Sequence, residues 1–209
     1  MSYSLNEVLG ITSKSAFALH YAERLSENPK GNVLLAELIL CLDDIENAKP
    51  SWFDKFDTQV VVDFLIISHR HYSQSVLPSI ARQIELLVKQ PDCPALISEY
   101  GMYFFKEFCS GLELHFEYEE NHLFPYVLKM NDEKDKSRRT FNEEEFNKHH
   151  PHPPVDLNSL LMLMNSNSEA EEKSMSHRIL IEKLESLNRE LGLHEFIEAN
   201  VLMPRLSKF

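Results

Sequence analysis

The sequence is dominated by two matching stretches, His115-Phe-Glu-Tyr-Glu-Glu-Asn-His-Leu-Phe-Pro125 and His194-Glu-Phe-Ile-Glu-Ala-Asn-Val-Leu-Met-Pro204. Both read HxxxExNxLxP, and each of the five shared residues recurs after the same 79 positions. Five coincident identities in so short a window rarely arise by chance. The two stretches therefore form an internal repeat.

The spacing inside the repeat places a histidine and a glutamate side by side. Residues four apart lie one turn apart on the same face of a helix. Apolar residues precede each motif on that face, which indicates that the histidine and glutamate point into a core. A buried carboxylate is expensive unless it is paired. Two such pairs, at Glu119 and Glu198, therefore suggest a bound cation, for which carboxylate and imidazole donors suit Fe or Mn and can suit Zn.

The composition narrows the class of protein. Of 209 residues, 43% are hydrophobic, which is enough for a sizeable core and too many for a disordered chain. Only 5 are glycine, which argues against a turn-rich all-β fold. The net charge of -12 argues against a nucleic-acid backbone or an anionic membrane as the main partner.

Helical periodicity predicts an all-α chain with two parts. Residues 1–57 read as a small helical N-terminal region that ends at Pro50 and the following SWFDKFD segment. Residues 58–209 contain four helical segments, which begin near residues 58, 95, 154 and 169. Pro78 lies inside the first of them and is expected to kink it. The pattern predicts a four-helix bundle preceded by the small N-terminal region.

We expect a cytoplasmic protein with no membrane span. The N-terminal residues lack the basic and apolar regions of a signal peptide, and no run of 18 apolar residues occurs. The three cysteines, Cys41, Cys93 and Cys109, are far apart and are expected to be reduced, mostly buried thiols.

The double HxxxE motif, with Leu-Phe-Pro after its first copy, resembles the hemerythrin-like (HHE cation-binding) domain. Within that family the chain is most similar to the di-iron proteins that repair iron centres and to related helical regulators. The resemblance covers residues 58–209, about three quarters of the chain. It implies a hemerythrin-like four-helix bundle that holds two metal ions.

The resemblance also implies a set of metal ligands. Glu119 and Glu198 would bridge the two ions, and His115 and His194 would be terminal ligands. The first helix should add one histidine before a Leu-Pro pair, and SHRHYSQSVLP offers His69, on the same face as Val62 and Ile66, or His71. The third helix should add another, and we favour His150 over its neighbours in FNKHHPHPP, which are His149 and His152.

One departure from the family pattern bears on function. The family carries a further histidine after the Leu-Pro of the first helix, where this chain reads IELLVKQPDCP. One ion would then lack a ligand, which would leave a position open for water or a small molecule or would lower the affinity for the ion. The remaining histidines have structural interpretations: His122 at the edge of the core, and His20 and His177 as surface or capping residues.

These expectations lead to two functions. The first is a non-haem protein with two irons per chain, or Zn or Mn in their place, that binds or senses O2 or NO or acts in iron–sulfur repair and the stress response. The alternative is a regulatory or protein-binding module with a degenerate or structural metal site. Since no nucleophile, P-loop or dinucleotide motif occurs, we expect no catalytic machinery beyond the metal.

Overall fold

Helices are the only regular elements in the part of the chain that the structure describes, as the glycine-poor composition predicts. A computed structural model describes Leu34, Glu37, Leu38, Cys41 and residues 44–91, 93–131, 156–165 and 174–206. Short 3-10 helices occupy Ile45–Asn47 and Pro50–Phe53. The all-α prediction is therefore confirmed for these residues.

Four helical segments follow the 3-10 turns within the described ranges. The first consists of α1 (Thr58–His71), a π-helical turn (Tyr72–Val76) and α2 (Leu77–Val88). The second consists of a π-helical turn (Ile97–Gly101), α3 (Met102–Tyr118), another π-helical turn (Glu119–Leu123) and α4 (Phe124–Asn131).

The third and fourth segments complete the described helices. The third is α5 (Leu157–Asn165), and its first turn is capped by Asp156, whose carboxylate accepts a hydrogen bond of 2.8 Å from the backbone N–H of Ser159. The fourth consists of α6 (Met175–Ile197), a π-helical turn (Glu198–Leu202) and a 3-10 turn (Met203–Arg205).

The described residues divide into two compact units. The first unit contains 44–71, 123–131 and 190–206, with Leu34, Leu38 and Cys41. Its core is formed by aliphatic and phenylalanine side chains. Among its most buried members are Leu34, Leu38, Phe53, Val61, Phe64, Leu65, Phe124, Leu193 and Leu202.

Arg205 ties the C-terminal turn of the first unit to the segment that precedes α1. Its guanidinium donates hydrogen bonds to the carbonyl oxygens of Phe53 and Phe56, each at 2.9 Å, and to the hydroxyl of Thr58 at 3.1 Å. Burial lowers the pKa of this guanidinium, while Asp54 and Asp57 act to raise it. The planar guanidinium carries five N–H donors in a fixed arrangement, which suits three acceptors at once. The predicted boundary at residue 57 is not tested by this arrangement and stays a prediction.

The second unit contains 72–91, 93–122, 156–165 and 174–189 within the described ranges. Its most buried side chains include Tyr72, Ile80, Ile84, Ile97, Phe105, Met164, Leu180, Leu184 and Leu187. His177 is buried here rather than at the surface. Its Nε2 lies 2.6 Å from the carbonyl oxygen of Met164, so the ring caps the C-terminal end of α5. His122, expected at the core edge, is exposed.

Replacing Arg205 by Met should lower the free energy of unfolding by about 2 kcal/mol, because it leaves two backbone carbonyls and one hydroxyl without their donor. Urea denaturation followed by circular dichroism measures the change. Arg178→Met, at an exposed position of α6, is the matched control and should shift the midpoint little. Equal effects of the two substitutions would contradict the role given to Arg205.

Candidate metal centre

Two imidazole rings of the first unit meet in its core. His69 is near the end of α1 and His194 is near the end of α6, and they are only 2% and 3% exposed. Their Nε2 atoms lie 2.8 Å apart. Phe124 stacks on the His69 ring, with 5.6 Å between ring centroids. Of the two candidates on the first helix, His69 is thus the one that lies beside His194.

The geometry of this imidazole pair limits its protonation. Without a metal ion between the rings, one Nε2 must donate a proton at 2.8 Å and the other must accept it. Two N–H groups cannot face each other at that distance. At least one Nε2 therefore carries a lone pair, which is the form in which histidine binds a metal ion.

A histidine and a glutamate of the second unit form the i, i+4 pair that the repeat predicts. The Nε2 of His115 lies 2.9 Å from a carboxylate oxygen of Glu119. The Glu119 side chain is fully buried, while that of His115 is 16% exposed. The helix spacing alone brings the two groups together, as expected from one turn of α3 and its continuation.

The two glutamates of the repeat occupy equivalent positions in their helices. Each is the first residue of a π-helical turn, Glu119–Leu123 in one copy and Glu198–Leu202 in the other. Glu198 is 7% exposed, so both carboxylates are buried. Each turn is followed two residues after its end by a proline, Pro125 or Pro204. Proline lacks the N–H that an α-helix needs, and its ring clashes with the carbonyl four residues earlier. This explains why the helix changes from α-helical to π-helical hydrogen bonding before each proline.

Two groups of three side chains could each hold a metal ion. One consists of His69, Glu119 and His194, and the other of His115, Glu119 and Glu198. Within each group the candidate ligand atoms lie within 4.8 Å of one another. Glu119 belongs to both groups, and its two carboxylate oxygens would allow it to serve two ions.

The rival histidine of the first helix has a different neighbour. The Nε2 of His71 lies 3.9 Å from a carboxylate oxygen of Glu190, a residue 7% exposed and one turn before His194 on α6. Sequence reasoning did not single out Glu190. The signal was present, since Glu190, His194 and Glu198 follow one another at intervals of four on a single helix face.

The predicted ligand of the third helix, His150, lies outside the described residues, as do its alternatives His149 and His152. The structure therefore brings together five of the six predicted ligands in the two groups. Whether they bind metal stays a prediction.

The cysteines take no part in either group. Burial raises the pKa of the Cys41 thiol to about 11, with a further contribution from Glu37. Burial also raises the pKa of Cys109 to about 12, reinforced by Glu113. Both thiols are therefore neutral near pH 7, and a neutral thiol is a poor nucleophile and metal ligand.

Alkylation by iodoacetamide at pH 8 should be about a hundredfold slower at Cys41 in the folded protein than in urea, because a pKa raised by two units lowers the thiolate fraction by that factor. Cys109 should be slower still. Peptide mass spectrometry of timed samples measures each rate, and the half-buried Cys93 serves as internal reference. Equal rates for Cys41 in folded and unfolded protein would contradict the prediction.

No family model, curated protein or solved structure matches the chain. None of the helices in the described ranges is long and apolar enough to cross a membrane.

Proposed function

We propose that this chain is a hemerythrin-like four-helix bundle that binds two iron ions and uses them to bind or sense O2 or NO, in iron–sulfur repair or a stress response. The observation that carries the proposal is the shared position of Glu119 in both candidate groups. A carboxylate common to two sets of ligands could serve two neighbouring ions through its two oxygens.

The chemistry of the donors supports iron. Each group combines imidazole nitrogen with carboxylate oxygen and contains no thiolate. Such mixed donors suit Fe, Mn and Zn, whereas soft thiolates favour Cu(I) and iron–sulfur clusters. Non-haem iron proteins with open positions use this combination. Zn or Mn are the alternative ions for the same donors.

The surroundings of the ligands support a role in binding a small apolar gas. His69, Glu119, His194 and Glu198 are all buried. Phe124 stacks on His69 and is only 1% exposed, so it keeps water away from that ring. Iron bound here would supply the affinity for O2 or NO. The protein side chains hold and orient the ion and exclude water.

A second candidate function is a protein-binding module in which the metal is structural. The observation that favours it is a group of large exposed side chains near the start of the second helical segment. Leu96, Tyr100 and Tyr103 lie within eight residues of one another and are 44%, 40% and 59% exposed. Large exposed side chains that lie close together are typical of a contact surface for another protein.

Protein purified from iron-supplemented cells should contain about two irons per chain by elemental analysis. The double substitution Glu119→Gln and Glu198→Gln should remove nearly all of it, because each amide keeps the shape of the carboxylate but loses the charge that holds the cation. The control is Glu117→Gln with Glu195→Gln, at exposed positions in the same helical turns. Iron retained by the first double variant would overturn the assignment of the site.

Iron should also stabilise the folded chain. When the free ferrous ion is a hundred times above the dissociation constant, the free energy of unfolding should rise by about 2.7 kcal/mol for each site that is filled, because the ion binds only the folded protein. Chemical denaturation under nitrogen, with and without a chelator, measures the difference. The Glu119→Gln, Glu198→Gln variant should give the same midpoint under both conditions. If the chelator does not change the denaturation midpoint of the wild-type protein, the result would favour a protein-binding module without metal.

A further inference from the structure

The first helical segment, like the two copies of the repeat, contains a π-helical turn that is followed by a proline. Its π-helical turn, Tyr72–Val76, ends two residues before Pro78. The turns Glu119–Leu123 and Glu198–Leu202 end two residues before Pro125 and Pro204. The shared geometry defines an alignment of three segments, although only two of them share the sequence motif.

In this alignment the first segment carries related but different residues. It reads Ser68-x-x-x-Tyr72-x-Gln74-x-Val76-x-Pro78 against HxxxExNxLxP. The amide is kept as Gln in place of Asn, and the aliphatic residue is kept as Val in place of Leu. The changes of chemical type fall at the two positions that bear the candidate metal ligands, where Ser replaces His and Tyr replaces Glu.

The serine of the third copy bonds within its own helix. The Oγ of Ser68 is fully buried and donates a hydrogen bond of 2.9 Å to the carbonyl oxygen of Phe64, four residues back in its own helix. The imidazole of this helix comes instead from His69, one residue later, which faces His194. The helix therefore retains a histidine ligand, displaced by one position.

The tyrosine of the third copy is placed like the two glutamates. Tyr72 opens its π-helical turn, as Glu119 and Glu198 open theirs. It is fully buried, and it is the largest of the fully buried side chains. Within the second unit its ring stacks on Phe116, which directly follows His115, with 6.0 Å between centroids. Tyr72 thus lies against the last turn of α3, which bears His115 and directly precedes Glu119.

We propose that the phenol of Tyr72 is a further iron ligand, occupying the position at which the other two copies place a carboxylate. The inference rests on the proposed iron site. As the oxygen bonds to iron(III), the phenol O–H bond breaks and its proton passes to solvent, with no change in the oxidation state of either partner. Phenolate is a hard oxygen donor that is known to hold iron in proteins. It also offers a ligand where the chain lacks the histidine expected in IELLVKQPDCP.

The test uses the full-length protein loaded with iron and oxidised to iron(III). A tyrosinate ligand produces a visible charge-transfer band and resonance-enhanced tyrosine vibrations. The vibrations should shift when the protein is grown with ring-deuterated tyrosine, which identifies a tyrosinate without any substitution. Tyr72→Phe should then abolish the band while leaving most of the iron bound and the far-ultraviolet circular dichroism unchanged.

Tyr118→Phe is the matched control. Tyr118 directly precedes Glu119, but it is half-buried and its ring contacts His122 at 5.0 Å. It should keep the band at full intensity. Wild-type protein that binds iron but shows no deuterium-sensitive vibrations would overturn the inference and leave the proposed function standing. A band that survives Tyr72→Phe would do the same. Wild-type protein that binds no iron would overturn both.

Discussion

The constraint on which this structure depends is the burial of two carboxylates among apolar side chains. Glu119 is fully enclosed, and Glu198 is 7% exposed. Moving a charged group out of water costs several kcal/mol even after the protein relaxes around it. A chain keeps such groups only where hydrogen bonds, opposite charge or a metal ion compensate. Here each carboxylate belongs to a group with an imidazole, and Glu119 belongs to two.

The placement of these carboxylates depends in turn on how the backbone deviates from a regular α-helix. An α-helix repeats every 3.6 residues, and one inserted residue advances every later side chain by about 100°. The π-helical turns at Glu119 and Glu198 are insertions of this kind. The prolines after them remove an N–H that a regular helix would require. Proline thus favours the π-helical backbone over a regular α-helix in free energy. It does so at the turns that begin with the candidate metal ligands.

Part of the fold and of the candidate site could be predicted from the sequence, and part could not. The i, i+4 rule predicts that His115 and Glu119 are neighbours, and they are 2.9 Å apart. The apolar face of α1 favoured His69 over His71, and His69 is the one that meets His194. The π-helical turns could not be predicted, because a periodicity of 3.6 residues assumes the regular hydrogen bonds of an α-helix. The role of Glu190 and the burial of His177, which was predicted as a surface or capping residue, could not be predicted, because their partners lie on other helices and spacing within one helix cannot reveal them.

The pair formed by His69 and His194 distinguishes between the two ways of compensating the buried carboxylates. If protons on this pair of rings alone balanced two carboxylates, both rings would have to be imidazolium. Two imidazolium Nε2 atoms cannot lie 2.8 Å apart, since each would direct an N–H at the other. The pair can therefore hold only one proton on its facing atoms. A metal ion in that place would accept both lone pairs and bring two or more positive charges, so it would compensate the buried carboxylates better than a single proton could.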